Sequence, residues 1–257
     1  MNIQRFLIVE ETGSAFNGLG GAVSLRVATF NANGMSSKFF AIKSLLFSQK
    51  VDILLVQETW LFNLNKFSVS GYNVIHISAM DSDRPLVGRP FGGIAIYIRD
   101  DIKFEQISPL KKPEQVDIDT YARVLAINLT DFDVLLTNFY LPSVDTNLSC
   151  AENNDKLIKS LSYWKSFSEG FSTKISIGDF NTNPMNKNLR QSSLELFFED
   201  HLDLDLRYLR DNRVDLNSQY TFSSSQHSGS TSFIDRVLAT DDIMDSYEIH
   251  NKNDLLL

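Results

Sequence analysis

KISIGDFNTNP, Lys174 to Pro184, sets a short apolar run in front of one carboxylate and one carboxamide and then breaks. Asp179 and Asn181 stand two residues apart, so on an extended chain their side chains point to the same side. Asp, Asn, Gly and Pro are also the ordinary punctuation after a strand, so the stretch reads either as a turn or as a site. What separates the two readings is whether other strands end in the same way.

They do. LRVATF ends in Asn31, VDILLV runs into Gln57 and Glu58, VLLTNF ends in Tyr140, and KISIG ends in Asp179 and Asn181. A further segment, SFIDRVLAT, sets Asp235 inside an otherwise apolar strand. In open α/β sheets the carboxyl ends of strands face the ligand crevice, so these polar tips are expected to converge there. Hard oxygen ligands of this kind, with no Cys or His cluster, suit Mg²⁺ or Mn²⁺ and not zinc. The chemistry implied is metal-assisted phosphoester hydrolysis. Taken singly, each residue has a plainer reading. Asn31 before Asn33 and Gly34 reads as a turn, Glu58 as a solvated strand end, and Tyr140 before Pro142 as a core aromatic with its hydroxyl at the surface. Asp235, flanked by Phe233, Ile234, Val237 and Leu238, needs a partner if it is buried.

Apolar strands and amphipathic helices organise the rest. SLRVATF, a helix across FFAIKSLLFSQ with Ser36 or Ser37 as its cap, and VDILLVQ form a βαβ outline. YNVIHIS, GGIAIYIR, YARVLAINL and DVLLTNFY then follow with only loops between them, which argues for antiparallel pairing. A second helical pattern, ENNDKLIKSLSYWKSF, carries Leu157, Ile158, Leu161, Trp164 and Phe167 on one stripe and leads into KISIGD; a third, SSLELFFEDHL, follows. SQYTFSS and SFIDRVLAT close the chain as a hairpin-like pair around a Ser- and Gly-rich loop from Ser223 to Ser232. The pattern predicts two sheets packed face to face with helices outside. Residues 1–24, punctuated by Gly13, Gly18, Gly20 and Gly21, read as a flexible N-terminal extension, and residues 25–257 as the packed domain.

Composition bounds the function. With 257 residues, 43% hydrophobic, the chain is long enough for one large α/β core. Its 24 Lys+Arg against 32 Asp+Glu give a formal charge of -8, which argues against nucleic-acid binding by bulk charge; contact with a polyanion must be local or bridged by a metal. The single cysteine, Cys150, fits a reducing compartment. No apolar run approaches a membrane span or a signal-peptide core, so the expected setting is intracellular, nucleus or cytoplasm, away from any membrane.

TFNANG with Asn31, QETW with Glu58, NFYLP with Tyr140, GDFN with Asp179 and Asn181, and SFIDRVLAT with Asp235 stand in the order found in the endonuclease/exonuclease/phosphatase superfamily, which this chain resembles from Leu25 onward. FNANGM before a helix, VDILLVQETWL, GGIAIYIRDD and QYTFSS before SFID are similar to the endonucleases of LINE-type, non-LTR retrotransposons, which are associated with a reverse transcriptase. The resemblance implies a four-layer α/β sandwich and a Mg²⁺-dependent DNA endonuclease. It implies Glu58 as the principal Mg²⁺ ligand with Asn31 beside it, and Asp179 as the residue that orients and deprotonates the attacking water. Asn181 and Tyr140 would meet the scissile phosphate, Asp235 would support the metal and nucleophile region, and Thr221 would touch phosphate. In the matching hairpin of those endonucleases the loop enters the DNA groove, which makes Gln226 and His227 candidate DNA contacts.

One family feature has no counterpart here. The superfamily carries a Ser-Asp-His beyond the aspartate equivalent to Asp235, and none of the four histidines, His76, His201, His227 and His250, stands in that context. The expectation is therefore a last strand cut short, and a fragment of a longer polyprotein, a degraded copy or an unusual active variant, the first two favoured. Two further functions stay open on the same fold: a phosphatase or phosphodiesterase of small molecules or RNA, and an inactive domain that binds nucleic acid.

Overall fold

The computed structural model describes residues 6–11, 25–80, 91–109, 111–182, 188–202, 207–208, 222–223, 231–232, 235–240 and 247–252. Its elements run β1 (Phe6–Glu11), β2 (Arg26–Asn31), α1 (Met35–Ser48), β3 (Ile53–Gln57), β4 (Tyr72–Ile77), β5 (Ile94–Arg99), β6 (Phe104–Gln106), α2 (Ile118–Tyr121), β7 (Val124–Leu129), β8 (Val134–Tyr140), α3 (Cys150–Ser168), β9 (Thr173–Asp179), α4 (Leu189–Leu202), β10 (Arg207–Tyr208), β11 (Phe222–Ser223), β12 (Thr231–Ser232), β13 (Asp235–Ala239) and β14 (Tyr247–Lys252).

Two six-stranded sheets result, in the orders β14-β1-β2-β3-β5-β4 and β10-β13-β9-β8-β7-β6. Each contains one parallel pair, β2 with β3 and β8 with β9, joined through α1 and α3 respectively. The other pairings between these strands are antiparallel. A parallel pair requires a crossover that returns the chain to the same edge, and an amphipathic helix is the usual one. Both crossovers therefore leave two strand carboxyl ends side by side, and the site is built on those four ends.

Alternation along the strands assigns the layers. In β3, Ile53 and Leu55 share a buried cluster with Ile96, Ile127 and Leu136, while Leu54 and Val56 pack with Ala41, Ile42, Leu45 and Leu46 of α1. On the far side of the second sheet, Leu157, Leu161 and Trp164 of α3 and Leu194, Phe197 and Phe198 of α4 are buried. Trp164 packs edge-on to Phe139 at 5.5 Å and to Phe198 at 5.7 Å, and its Nε1 donates to Thr137 Oγ1 at 3.0 Å, so its polar edge is satisfied inside the core. The architecture is helix, sheet, sheet, helix: the α/β sandwich that the patterning predicts.

Three details differ from the sequence reading. Phe6–Glu11, placed there in an extension, is a strand that pairs antiparallel with β2 and with β14, so the first sheet begins ahead of Leu25. The helix predicted over FFAIKSLLFSQ starts earlier, at Met35, with Gly34 at its N-cap and no side-chain capping bond; Ser37 Oγ instead donates back to Gly34 O at 3.1 Å. The second helix starts at Cys150, because Ser149 and Glu152 form a reciprocal capping box there. The predicted terminal pair survives in part: Phe222–Ser223 pairs with Thr231–Ser232, and Asp235–Ala239 pairs with β9. No helix among the described residues is long and apolar enough to cross a membrane.

Candidate active site

Asn31 closes β2 and Glu58 follows β3, and backbone bonds zip the two exits together. Ala32 N donates to Gln57 O at 2.9 Å, Gly34 N to Glu58 O at 2.9 Å, and Met35 N to Thr59 O at 3.0 Å. NANGM and QETW are thus one structural unit. The zip bends Asn33, Glu58 and Trp60 into left-handed backbone, at φ of 44°, 53° and 55°. Trp60 lies against Gly34, where a β-carbon would stand 2.7 Å from the indole Cε3, so glycine is required to let the ring cover the loop. Non-glycine residues with positive φ each cost on the order of 1 kcal/mol and cluster at functional sites.

The second sheet delivers the opposite half. Tyr140 and Asp179 are register partners at the ends of β8 and β9, and Asp235 is the register partner of Asp179 on its other side. The glycine of GDFN has a packing reason: Gly178 sits at φ 145°, and a β-carbon there would fall 2.1 Å from Phe139 O. That close approach turns the strand so that Asp179 closes it, 2% exposed. Asn181, at φ 48°, then points its backbone N–H at Asp179 Oδ1, 2.9 Å away, while its Nδ2 donates to Leu141 O at 2.8 Å. Leu141 N donates to Asp179 O at 2.9 Å, so the loops leaving Tyr140 and Asp179 hold one another.

The halves meet through one amide. Asn31 Nδ2 donates to Glu58 Oε1 at 2.9 Å and to Asp179 Oδ2 at 3.0 Å, and Asn31 Oδ1 accepts from Asn33 N at 3.0 Å. Burial pushes the Asp179 carboxyl up to about 7; its hydrogen bonds from Asn181 and Asn31 pull it down, and the Glu58 charge adds to the rise. Burial, with Glu58 next in weight, also raises the Tyr140 phenol and keeps it protonated. Two carboxylates share one neutral donor at the mouth of two sheets, with carboxylate, amide and phenol groups lining it among the described residues. No group of three or more His, Cys, Asp or Glu side chains is assembled among the described residues. An all-oxygen set built on one or two carboxylates is what a magnesium-class ion uses, since it keeps waters and takes substrate oxygens for its remaining positions; the residues fit such an ion.

Asn31, Glu58, Asp179, Asn181 and Tyr140 are therefore brought together. Asp235 reaches the same place by backbone register. Thr221, Gln226 and His227 lie outside the described residues. Other groups carry no clear signal in the sequence. Arg123, at the head of an apolar strand, holds its Cζ 4.7 Å from the Tyr140 ring centroid and is fixed by Asp119 at 2.5 Å. Asn138, inside VLLTNFY, sends its side chain into the other sheet: Nδ2 donates to Val56 O at 3.1 Å and Ala95 O at 3.0 Å, and Oδ1 accepts from Gln57 Nε2 at 2.7 Å. Gln57 Nε2 also reaches Thr29 Oγ1 at 2.9 Å. This buried amide pair pins the two sheets together beneath the site; an amide within an apolar strand was the one visible hint of it.

Comparison with solved structures returns the same fold. The 3′ phosphatase NExo from Neisseria, bound to a product DNA hairpin, is similar with a TM-score of 0.58 and 16% identity, over 85% of this chain and 88% of that one. The catalytic domain of Xenopus laevis APE2 gives a TM-score of 0.59 at 18% identity, over 86% and 83%. The endonuclease domain of TRAS1, a telomere-specific non-LTR retrotransposon, gives 0.53 at 17% identity, over 86% and 87%. A search of curated protein sequences finds no match. The profile of the Endonuclease/Exonuclease/phosphatase family matches residues 28–245, from β2 past Asp235, and so spans every strand end described above. With that match lying over this geometry, the chain belongs to the Endonuclease/Exonuclease/phosphatase family, a family of phosphoester-cleaving enzymes.

Proposed function

We propose that the protein is a divalent-cation-dependent phosphodiesterase acting on DNA, an endonuclease that nicks one strand in the manner of non-LTR retrotransposon endonucleases. The observation that carries this reading is the double hydrogen bond of Asn31 to Glu58 and Asp179, which sets one carboxylate from each sheet around a single point. Oxygens of Glu58 and Asn31 would hold the ion, Mg²⁺ or Mn²⁺, and when bound it neutralises charge on the phosphate and the leaving oxygen.

The chain's own groups do the rest. Asp179 accepts the proton of a water aligned opposite the leaving 3′ oxygen, as that water bonds to phosphorus and the P–O3′ bond breaks; solvent protonates the released oxygen. A buried carboxyl with a raised proton affinity suits that transfer near neutral pH. Asn181, through its amide, and the protonated Tyr140 hydroxyl are the donors for phosphate oxygens as charge builds on them. Asp235, opposite Asp179 in register, supports the nucleophile region. The TRAS1 domain favours the retrotransposon-like reading, since both its fold and its role as an endonuclease agree with the motifs FNANGM and QETW.

Supercoiled plasmid provides the test. Nicked circle should form with Mg²⁺, stop with chelator, and fall at least 10²-fold in Asp179→Asn and Glu58→Gln proteins that retain the wild-type melting temperature. Phosphate release from small esters without nicking would replace DNA with a small-molecule substrate; DNA binding without cleavage would make the domain an inactive binder.

A further inference from the structure

Arg190, the second residue of α4, is buried at 8% exposure. Its Nη1 donates to Asn153 O over a long 3.4 Å, while Nε and Nη2 have no hydrogen-bond partner among the described residues. A guanidinium does not give up its proton, and burying one without a counter-charge costs roughly several kcal/mol. Some compensating group is expected. The two open donors are adjacent on one edge of the guanidinium, the edge that grips an oxyanion with two parallel bonds.

The residues on either side of Arg190 are tied to the two loops that leave the catalytic strands. Gln191, next along α4, accepts from Arg236 Nη2 at 3.1 Å, and the same nitrogen donates to Thr182 Oγ1 at 2.8 Å and to Thr182 O. This bolts the start of α4 to the segment following Asp179 and Asn181. On the other side Asn153, whose carbonyl receives Arg190, organises the loop beyond Tyr140 and Leu141: its Nδ2 donates to Asp145 O at 2.9 Å and its Oδ1 accepts from Asp145 N at 2.8 Å. Burial, then the charge of Arg123, lowers the Arg190 pKa to about 10 while Asp179 opposes the shift, which agrees with a group set close to both. Arg123 is already paired with Asp119, whereas Nε and Nη2 of Arg190 have no hydrogen-bond partner among the described residues.

We propose that Arg190 forms an anion subsite that grips the non-bridging oxygens of a substrate phosphate next to the scissile one. This rests on the phosphodiesterase reading above. It places a phosphate anchor in a chain of net charge -8, where the backbone of a polyanion has to be met locally.

Arg190→Met keeps the length and removes the charge. If the guanidinium is held for a ligand, this variant melts at the wild-type temperature or higher, because an uncompensated charge has gone. Inorganic phosphate, titrated against chloride at equal ionic strength, should raise the melting temperature of the wild type and leave that of the variant unmoved. A single neutral methylphosphonate walked along the cleaved strand should weaken wild-type binding about tenfold or more at one position beside the nick, and Arg190→Met should show no further loss there. Arg190→Lys, a charge without the fork, should keep part of the phosphate response. The subsite is overturned if the wild type ignores phosphate, if Arg190→Met melts lower with its phosphate response intact, or if the two methylphosphonate profiles coincide. Arg190-dependent phosphate binding in a protein that leaves DNA uncut would keep the subsite and remove DNA as the substrate.

Discussion

Asn31 and Asp179, 148 positions apart in the chain and on different sheets, meet through a 3.0 Å hydrogen bond from the Asn31 amide to the Asp179 carboxylate. The same nitrogen donates to Glu58, so one neutral side chain separates two acids that would otherwise face each other directly. Each of the three depends on a different strand end. The site is therefore sensitive to how the sheets dock, and the substitutions below separate docking from chemistry.

Asn31→Ala should cost at least 10²-fold in nicking rate while lowering stability by only about 1 kcal/mol, since the bonds lost, to Glu58, to Asp179 and from Asn33 N, are side-chain hydrogen bonds at part-buried or exposed positions. Asp179→Asn in the same background should add less than it does alone, because both changes act on one proton-accepting unit. Plasmid nicking by the two single variants and the double variant, at matched folded fractions, checks this. Full additivity would show that the amide does not position Asp179.

Gly178→Ala should destabilise the fold by about 2–4 kcal/mol, with the β-carbon driven to 2.1 Å from Phe139 O across the β8–β9 pairing. Gly170→Ala, where a β-carbon meets nothing within 4 Å, is the control and should leave the urea midpoint nearly unchanged. Equal midpoints for the two variants would mean that the strand end tolerates a side chain and that the glycine of GDFN serves some other purpose.

His76 provides the pH test. Burial lowers its pKa to about 4, and its Nε2 lies 3.0 Å from Thr59 Oγ1, one residue beyond Glu58. Between the ordinary histidine value and about 4 the unfolded chain binds a proton that the folded chain refuses, so this group's contribution to stability falls as pH drops through that window and is flat outside it. Asp179 works in the opposite sense: with its carboxyl pushed up to about 7, the folded chain binds a proton that the unfolded chain lacks, which favours folding as pH falls below that value. The difference between wild type and His76→Gln isolates the histidine. Urea midpoints from pH 7.5 to 4 should show the variant losing less stability on acidification, by on the order of 2 kcal/mol. Parallel curves would mean that His76 accepts its proton in the folded state.

Some of this protein was legible in local order alone. Alternating and continuous apolar runs located β2 to β5 and β7 to β9, because side-chain period and β-branched content are properties of the strand itself. Oxygen-bearing residues at successive strand ends named Asn31, Glu58, Tyr140 and Asp179 for the same reason: a strand's last residue is a local feature. The helix starts at Met35 and Cys150 were less legible, since one depends on a backbone zip to residues 57–59 and the other on a capping box ahead of the periodic stripe.

Tertiary structure decided what the chain order cannot express. Phe6–Glu11 becomes a strand because β2 and β14 lie on either side of it, and pairing partners far along the chain leave no trace in six residues. Nothing in the local sequence marks Arg190 or Arg236, yet the fold buries both, Arg190 against the Asn153 carbonyl and Arg236 against Thr182. Residue types and their periods are written locally, so the sequence determined the strands, the helices and the donor chemistry of their tips. Burial, register and the approach of one sheet to the other arise only when distant segments exclude the same water, and that step placed the acids around one amide and left one guanidinium edge open.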